Sequence, residues 1–447
     1  MIRNRGSGRV VITGMGWITP LGHDLEAAWS KLMTGTSGVA AISRFDARTF
    51  PTTFAAEVRN LDFTRFVGDA SIHEGCGRNI QFALAAARQA WDQAGLSKAG
   101  GFDPRRVGIY LGAGEGVLDT EQFVNTNLAG WVDADQKIDT VRWARAAFES
   151  LVPQKEITQE PNMPLAHLAR EFGIRGPAYN CLTACAASTQ AIGEAFSILR
   201  RGDADAMLAG GTHTMIHMLG VTGFNRLTAL STDQNLAGAD VTTASRPFSR
   251  DRGGFVMGEG SGMVIIETLE HAQRRGATPL AEIIGYGSSA DAFRITDIQP
   301  DGRGAAIAMN AALRQAGIDP AADGPSGLGP VQYISAHGTG TKENDSIETR
   351  AVKAVFGDRA RRIPMSSIKS MMGHLIAAAG AVELITCVMA IERQMLPPTI
   401  NLRNPDPDLD LDYVANVARP AVVETCLSNS FGFGGQNDTL VVRRFRG

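Results

Sequence analysis

A chain of 447 residues, 44% hydrophobic, 20% charged and only 6% aromatic, has the composition of a soluble globular protein with room for two domains or a duplicated one. A net charge of −3 with no basic stripe excludes the usual footprint of nucleic-acid binding, and no apolar run near the ~18 residues of a membrane span stands outside the small-residue helices. Five irregularly spaced cysteines and no secretory apolar segment point to a reducing compartment, the cytoplasm, without a disulfide framework.

In chain order, Arg9 to Gly14 reads as a buried strand, and the loop Thr19-Pro20-Leu21-Gly22 leads to a helix that has Asp24 near its start. Ile80 to Gly95 is helical and ends at its glycine, and Arg106 to Gly112 is a second buried strand. Residues 115–168 differ: Phe123, Trp131, Trp143 and Phe148 stand among many charges, spaced by prolines. Helical runs such as Val141 to Leu151 are expected there, with no strand pattern, so the segment reads as an insertion capping the body.

A Gly176-Pro177 break precedes a short strand, Ala178 to Cys181. A small-residue helix follows from Ala186 to Leu199, with Cys185 at its first turn. Further strands are expected over Asp203–Gly211 and Met263–Thr268, so strands alternate with helices in the manner of a layered α/β fold. The second half repeats the pattern. Ala281–Gly287 and Val331–Ala336 read as strands, Gly304–Gly317 and Ser346–Val355 as helices, and Gly373–Ala390 as a second small-residue helix. Two strands close the chain around the turn Phe431 to Asn437. Two halves, each with a central apolar helix, suggest an internal duplication packed face to face, with its halves at 1–270 and 271–447.

The chemistry-bearing residues are few. Unpaired N–H groups at a helix N-terminus favour a thiolate, so Cys185 is a candidate nucleophile, although alone it also reads as a buried apolar thiol. His337 follows a strand directly and opens His337-Gly338-Thr339-Gly340-Thr341, at what reads as an exposed sheet edge, with Asp345 and Glu348 beyond. His374 opens the second small-residue helix, where a positive helix end disfavours imidazolium. Lys369 precedes it and Glu383 follows as a possible countercharge. The other six histidines read as structural or surface residues, and no paired spacing supports a metal site. Gly112-Ala113-Gly114-Glu115-Gly116 and Gly432 to Gly435 lack the full context of a nucleotide loop. A cysteine at a helix N-terminus, two histidines and a Gly-rich turn able to present N–H groups make a nucleophile with oxyanion donors.

In combination these residues resemble the β-ketoacyl-acyl carrier protein synthases of the thiolase fold, most closely the synthase II type. The motifs are Thr183-Ala184-Cys185, Ala336-His337-Gly338-Thr339-Gly340-Thr341, Lys369 to His374, Pro397-Pro398-Thr399-Ile400-Asn401 and Asn429 to Gly435, in order over nearly the whole chain. The resemblance implies an α/β thiolase-like fold, a duplicated five-layer αβαβα architecture. It implies that Cys185 carries the acyl group as a thioester while His337 and His374 bind malonyl thioester and stabilise the enolate formed as carbon dioxide leaves. It further implies an oxyanion hole from the N–H groups of Cys185 and Phe433, with Phe433 as a gate to the acyl pocket. Lys369 and Glu383 would order the second histidine. Thr339 and Thr341 would meet the phosphopantetheine arm, and Phe431, Glu115 and Thr296 would line the substrate site. The family is homodimeric, takes acyl carrier protein as partner, and needs no cofactor beyond the phosphopantetheine its substrate brings.

Three features depart from the pattern: Glu115 where an apolar residue usually lines the acyl pocket, Gln436 in place of the common Thr, and a longer 115–168 region. A buried unpaired carboxylate at 115 would be costly, so these departures bear on the acyl substrate and suggest a specialised synthase. Thiolase itself would need a second cysteine in a Cys-x-Gly setting, and Cys426 is followed by Leu427-Ser428. A non-condensing partner subunit, chain-length-factor-like, would have lost the nucleophile. A malonyl decarboxylase of the same fold would keep both histidines.

Overall fold

Ten of the strands join in one continuous sheet in the computed structural model, which describes residues 8–97, 102–116, 118–236, 238–294, 298–322 and 329–447. The first five are β1 (Val10–Ile18), β2 (Val107–Ala113), β3 (Ala178–Cys181), β4 (Ala206–His213) and β5 (Gly260–Thr268). The second five are β6 (Ala281–Ala290), β7 (Tyr333–Ser335), β8 (Met365–Ser366), β9 (Thr425–Gly432) and β10 (Gln436–Arg444). The order β8-β7-β9-β10-β6-β1-β5-β4-β2-β3 reads identically outward from its centre: first strand, fifth, fourth, second, third. In both halves the first two of these pairings are antiparallel and the next two parallel. The halves meet where Val10, Val11 and Ile12 pair with Ile283, Glu282 and Ala281.

The repeat reaches individual residues. β1 shifts register between Ile12 and Gly14, and β6 between Ile283 and Gly285. A Cβ at Gly14 would lie 2.0 Å from the Ala90 carbonyl oxygen, and one at Gly285 2.2 Å from that of Ala312. Both strands therefore use glycine to let a helix backbone close on the sheet: α1 (Arg78–Ala94) in the first half, α3 (Arg303–Gln315) in the second. The helices that follow each half's third strand, α2 (Ala187–Arg201) and α5 (Ala379–Arg393), lie together in the middle and touch strands of both halves. Ile192 and Phe196 of α2, Leu384 and Val388 of α5, Val264 of β5 and Leu440 of β10 share one apolar cluster. With α3 and α4 (Lys342–Phe356) outside the second half, the layers run helix, sheet, helix, sheet, helix.

Several expected elements shift. The strand from Arg9 runs on to Ile18 past the register shift. The second small-residue helix begins at Ala379, because Gly373 and Ile376 take φ of 68° and 47° and break the helical path. The final turn shrinks to Phe433-Gly434-Gly435, since the residues on either side extend the strands. The capping segment holds helices over Thr120–Gly130 and Thr140–Ser150, but also a short hairpin pairing Trp131–Val132 with Lys137–Ile138 that its sequence did not suggest. Strands of two residues leave no readable alternation.

Candidate active site

Cys185 sits in a one-turn helix, Ala184–Ala186, that feeds α2, after a bend in which Ala184 takes φ 46°. Ile376, at the matching place before α5, takes φ 47°. Such a conformation costs a non-glycine residue on the order of 1–3 kcal/mol and persists where packing dictates it. The Cys185 N–H acts to favour the anion on its own sulfur. The N–H of Phe433, in the β9–β10 turn, also acts to favour the anion on that sulfur. That turn holds Gly434 and Gly435 at φ 88° and 76°, values that glycine adopts without strain, and it closes through Gly435 N–H to the Gly432 carbonyl at 3.0 Å.

His337 and His374 complete the group: donor atoms of the two rings and Sγ of Cys185 lie within 4.8 Å of one another, all three residues buried. The rings are 5.5 Å apart, edge to face. The exposed sheet edge expected for His337 is therefore a closed interior. The His374 backbone is pinned between Val256 and Gly258, its N–H donating to the Val256 carbonyl at 2.7 Å. Its Nδ1 accepts from Ile376 N–H at 3.2 Å, which assigns the ring proton to Nε2, and Nε2 has no partner among the described residues. Both histidines are held well below the ordinary imidazole value, first by burial and then by Lys369. The expected neutral state is present, but burial causes it more than a helix end.

The thiol departs from the expected thiolate. Burial pushes Cys185 up to about 11, against the lowering effects of Lys369 and the two N–H groups. An apolar surrounding disfavours the anion more than one helix end favours it.

Lys369 and Glu383 form a fully buried ion pair, and Lys369 Nζ donates to the His337 carbonyl oxygen at 2.6 Å. The pair is thus anchored to the first histidine, not to the second as expected, because the His337 loop and not the His374 segment passes over the lysine. Two further carboxylates hold that loop. Glu348 accepts from the N–H groups of His337 and Gly338 at 2.9 and 2.8 Å, and Asp345 accepts from Gly340 and Phe248. In the sequence Glu348 and Asp345 stand just beyond the His337 motif with no role assigned to either. Their i,i+3 spacing on α4, facing the strand end, was the available signal.

The remaining expected residues divide. Thr341 lines a cleft of about 460 Å³ together with Phe433, and Thr339 stands behind it, hydroxyl to hydroxyl at 3.1 Å. Phe431 is a packing group, edge-on to the His337 ring at 5.6 Å. Phe433 also lines a second pocket of about 380 Å³, shared with Ala184, Glu115 and Gln436, so it separates the two cavities. Glu115 is exposed in this chain, which removes the expected burial cost, because it lies on the outer side of that pocket. Thr296 lies outside the described residues. His213, read as structural, lines the second pocket.

Residues 7–272 match the family model described as Beta-ketoacyl synthase, N-terminal domain, and residues 280–403 match Beta-ketoacyl synthase, C-terminal domain. The chain is 41% identical over 436 residues to 3-oxoacyl-(acyl-carrier-protein) synthase 2 of Coxiella burnetii, spanning 98% of both chains. It is 39% identical over 437 residues to the protein of that name from Staphylococcus aureus, again over 98% of each. Among solved structures, a ketosynthase described in complex with a type II PKS acyl-carrier protein, bound to a hexaketide, superposes at a TM-score of 0.83. It is 32% identical, over 98% of this chain and 99% of that one.

Proposed function

The chain belongs to the beta-ketoacyl synthase family, with its thiolase-like fold and acyltransferase activity, and we propose on that premise how its residues carry out the condensation. Acyl carrier protein brings an acyl thioester through the 460 Å³ cleft past Thr341, on the phosphopantetheine arm that is the only prosthetic group required. Cys185 Sγ attacks the carbonyl, its proton leaves on the departing pantetheine thiol, and the acyl chain passes Phe433 into the 380 Å³ pocket. The N–H groups of Cys185 and Phe433, which both favour an anion at the sulfur, hold the oxyanion. Malonyl thioester then binds with its carbonyl oxygen between His337 and His374. Each neutral imidazole keeps one N–H to donate, and together they stabilise the enolate as carbon dioxide leaves. The carbanion attacks the Cys185 thioester carbon, the C–S bond breaks, and a 3-oxoacyl thioester two carbons longer departs.

The observation that carries this reading is the convergence of one sulfur and two imidazoles within 4.8 Å, all three residues buried. Intact-mass measurement after incubation with acyl-carrier protein thioester tests it. The wild type gains one acyl group and Cys185→Ala gains none. Prior treatment with a chelator leaves the adduct unchanged. A wild type that stays unmodified sinks the proposal.

We further propose a homodimer acting in the cytoplasm. Among the described residues β3 is an edge strand paired only with β2, and it exposes Tyr179 by 52%. The capping helix over Thr140–Ser150 leaves Phe148 exposed by 95%, surface suited to a second copy. Among the described residues no helix is long and apolar enough to cross a membrane.

A further inference from the structure

The pocket behind Phe433 is only half suited to a hydrocarbon chain. Met215, Phe224 and Ile376 give it apolar walls, but His213, Glu115 and Gln436 also line it, and the condensation steps above use none of the three. His213 is the telling one. It ends β4, is 3% exposed, and neither ring nitrogen has a hydrogen-bond partner among the described residues. Its ring lies against Gly114, where a Cβ would fall 2.6 Å from Cε1, so an imidazole fits here because residue 114 has no side chain. Burial and the neighbouring His217 hold the ring neutral, down to about 4. Beside the pocket it therefore carries one N–H donor and one lone pair, neither of them met among the described residues.

A buried donor and acceptor without partners are a standing penalty in an apolar site, and a saturated chain would leave both unmet. A hydroxyl or carbonyl oxygen on the acyl chain would satisfy at least one. Glu115 at the outer side of the pocket sets a negative charge there, which disfavours an anionic substituent and leaves a neutral oxygen as the matching group.

We propose that this pocket selects acyl chains bearing a neutral hydrogen-bonding oxygen, a hydroxyl or an oxo group, over saturated chains of equal length, with His213 as the residue that determines the preference. The inference rests on the condensing reading above and names the substrate class for that same site.

The test measures the second-order rate of Cys185 acylation, by intact mass, with pantetheine thioesters of octanoic acid and of its hydroxy and oxo derivatives substituted at successive chain positions. The wild type is expected to react with the best oxygenated thioester at least about tenfold faster than with the saturated one, since a site built to hydrogen-bond a substrate rejects the analogue lacking the group. The hydroxy and oxo series separately report which oxygen is read. In His213→Leu the ratio falls to about one. In His213→Gln, which keeps a donor and an acceptor, part of the ratio returns. A wild type that reacts equally well or better with the saturated thioester at every position overturns the proposal while leaving the condensing reading intact. So does a ratio unchanged in His213→Leu. No adduct from any thioester overturns both. Should His213→Leu not fold, the wild-type ratio and His213→Gln still decide.

Discussion

Glu348 offers a sharp physical test of how the His337 loop is held. It is fully buried and accepts three hydrogen bonds, from His337 N–H at 2.9 Å, Gly338 N–H at 2.8 Å and the Asn429 amide at 3.3 Å. Burial outweighs these donors and pushes the carboxyl from its ordinary 4.5 up to about 7. Between those values the folded chain holds a proton that the unfolded chain has released. The stabilisation this gives is complete below pH 4.5 and is lost as pH rises through 7. A rise from 4.5 to about 7, at about 1.36 kcal/mol per pH unit, amounts to about 3 kcal/mol. With an unfolding entropy of about 2.1 cal/mol/K per residue, 447 residues give about 0.9 kcal/mol/K, so the effect on Tm is about 3 to 4 °C. Glu348→Gln keeps the shape without the titration. It turns one amide N–H toward a backbone N–H, a constant penalty of about 1–3 kcal/mol that does not depend on pH. In calorimetry from pH 4.5 to 8, the wild type's Tm advantage over Glu348→Gln should shrink by about 3 to 4 °C across the range. Profiles that run parallel to within about 1 °C would refute the reasoning, because a carboxyl unperturbed by burial adds no slope above pH 5.

Three other expectations follow from the same geometry. Because burial holds the Cys185 thiol at about 11, alkylation of the free protein by iodoacetamide should climb steadily from pH 7 to 10, and a plateau by pH 8 would mark a preformed thiolate. With both imidazoles held well below 6.5, condensation should persist as pH falls through the ordinary histidine range, whereas an acid limb centred near 6.5 in kcat contradicts neutral, buried donors. Gly380→Ala would put a Cβ 1.8 Å from Thr189 Oγ1, between the two central helices, and should lower stability by about 1–3 kcal/mol in urea unfolding; an unchanged midpoint would show that the helices part without cost.

Local pattern carried most of the elements and the names of the reacting residues. The runs around Val10, Ile109, Ile265 and Ile334 are β-branched enough to be strands anywhere, and the helix–turn junction at Cys185 is written in consecutive residues. Five short motifs in order identified Cys185, His337, His374 and Phe433 as a working group, and the structure brings those four together. The duplication was legible as alternation alone. Its proof, the same strand order and the same register shift in each half, is a matter of hydrogen-bond pairing between residues hundreds apart.

Tertiary structure decided the charge states and the partnerships. The sequence placed Lys369 and Glu383 near His374, yet the lysine reaches the His337 carbonyl, 32 residues away, because the loop after β7 passes over it. A thiolate at Cys185 follows from its helix turn, and a neutral thiol from everything packed around that turn. Glu115 is a buried charge by motif and an exposed one by its place at the outer side of the pocket. His213 is one of eight histidines in the sequence and becomes a pocket residue only when β4 ends beside Gly114. The physical reason is common to all four. Backbone propensity and motif spacing are properties of neighbours along the chain, whereas burial, desolvation and hydrogen-bond partnership are sums over whatever the fold brings close.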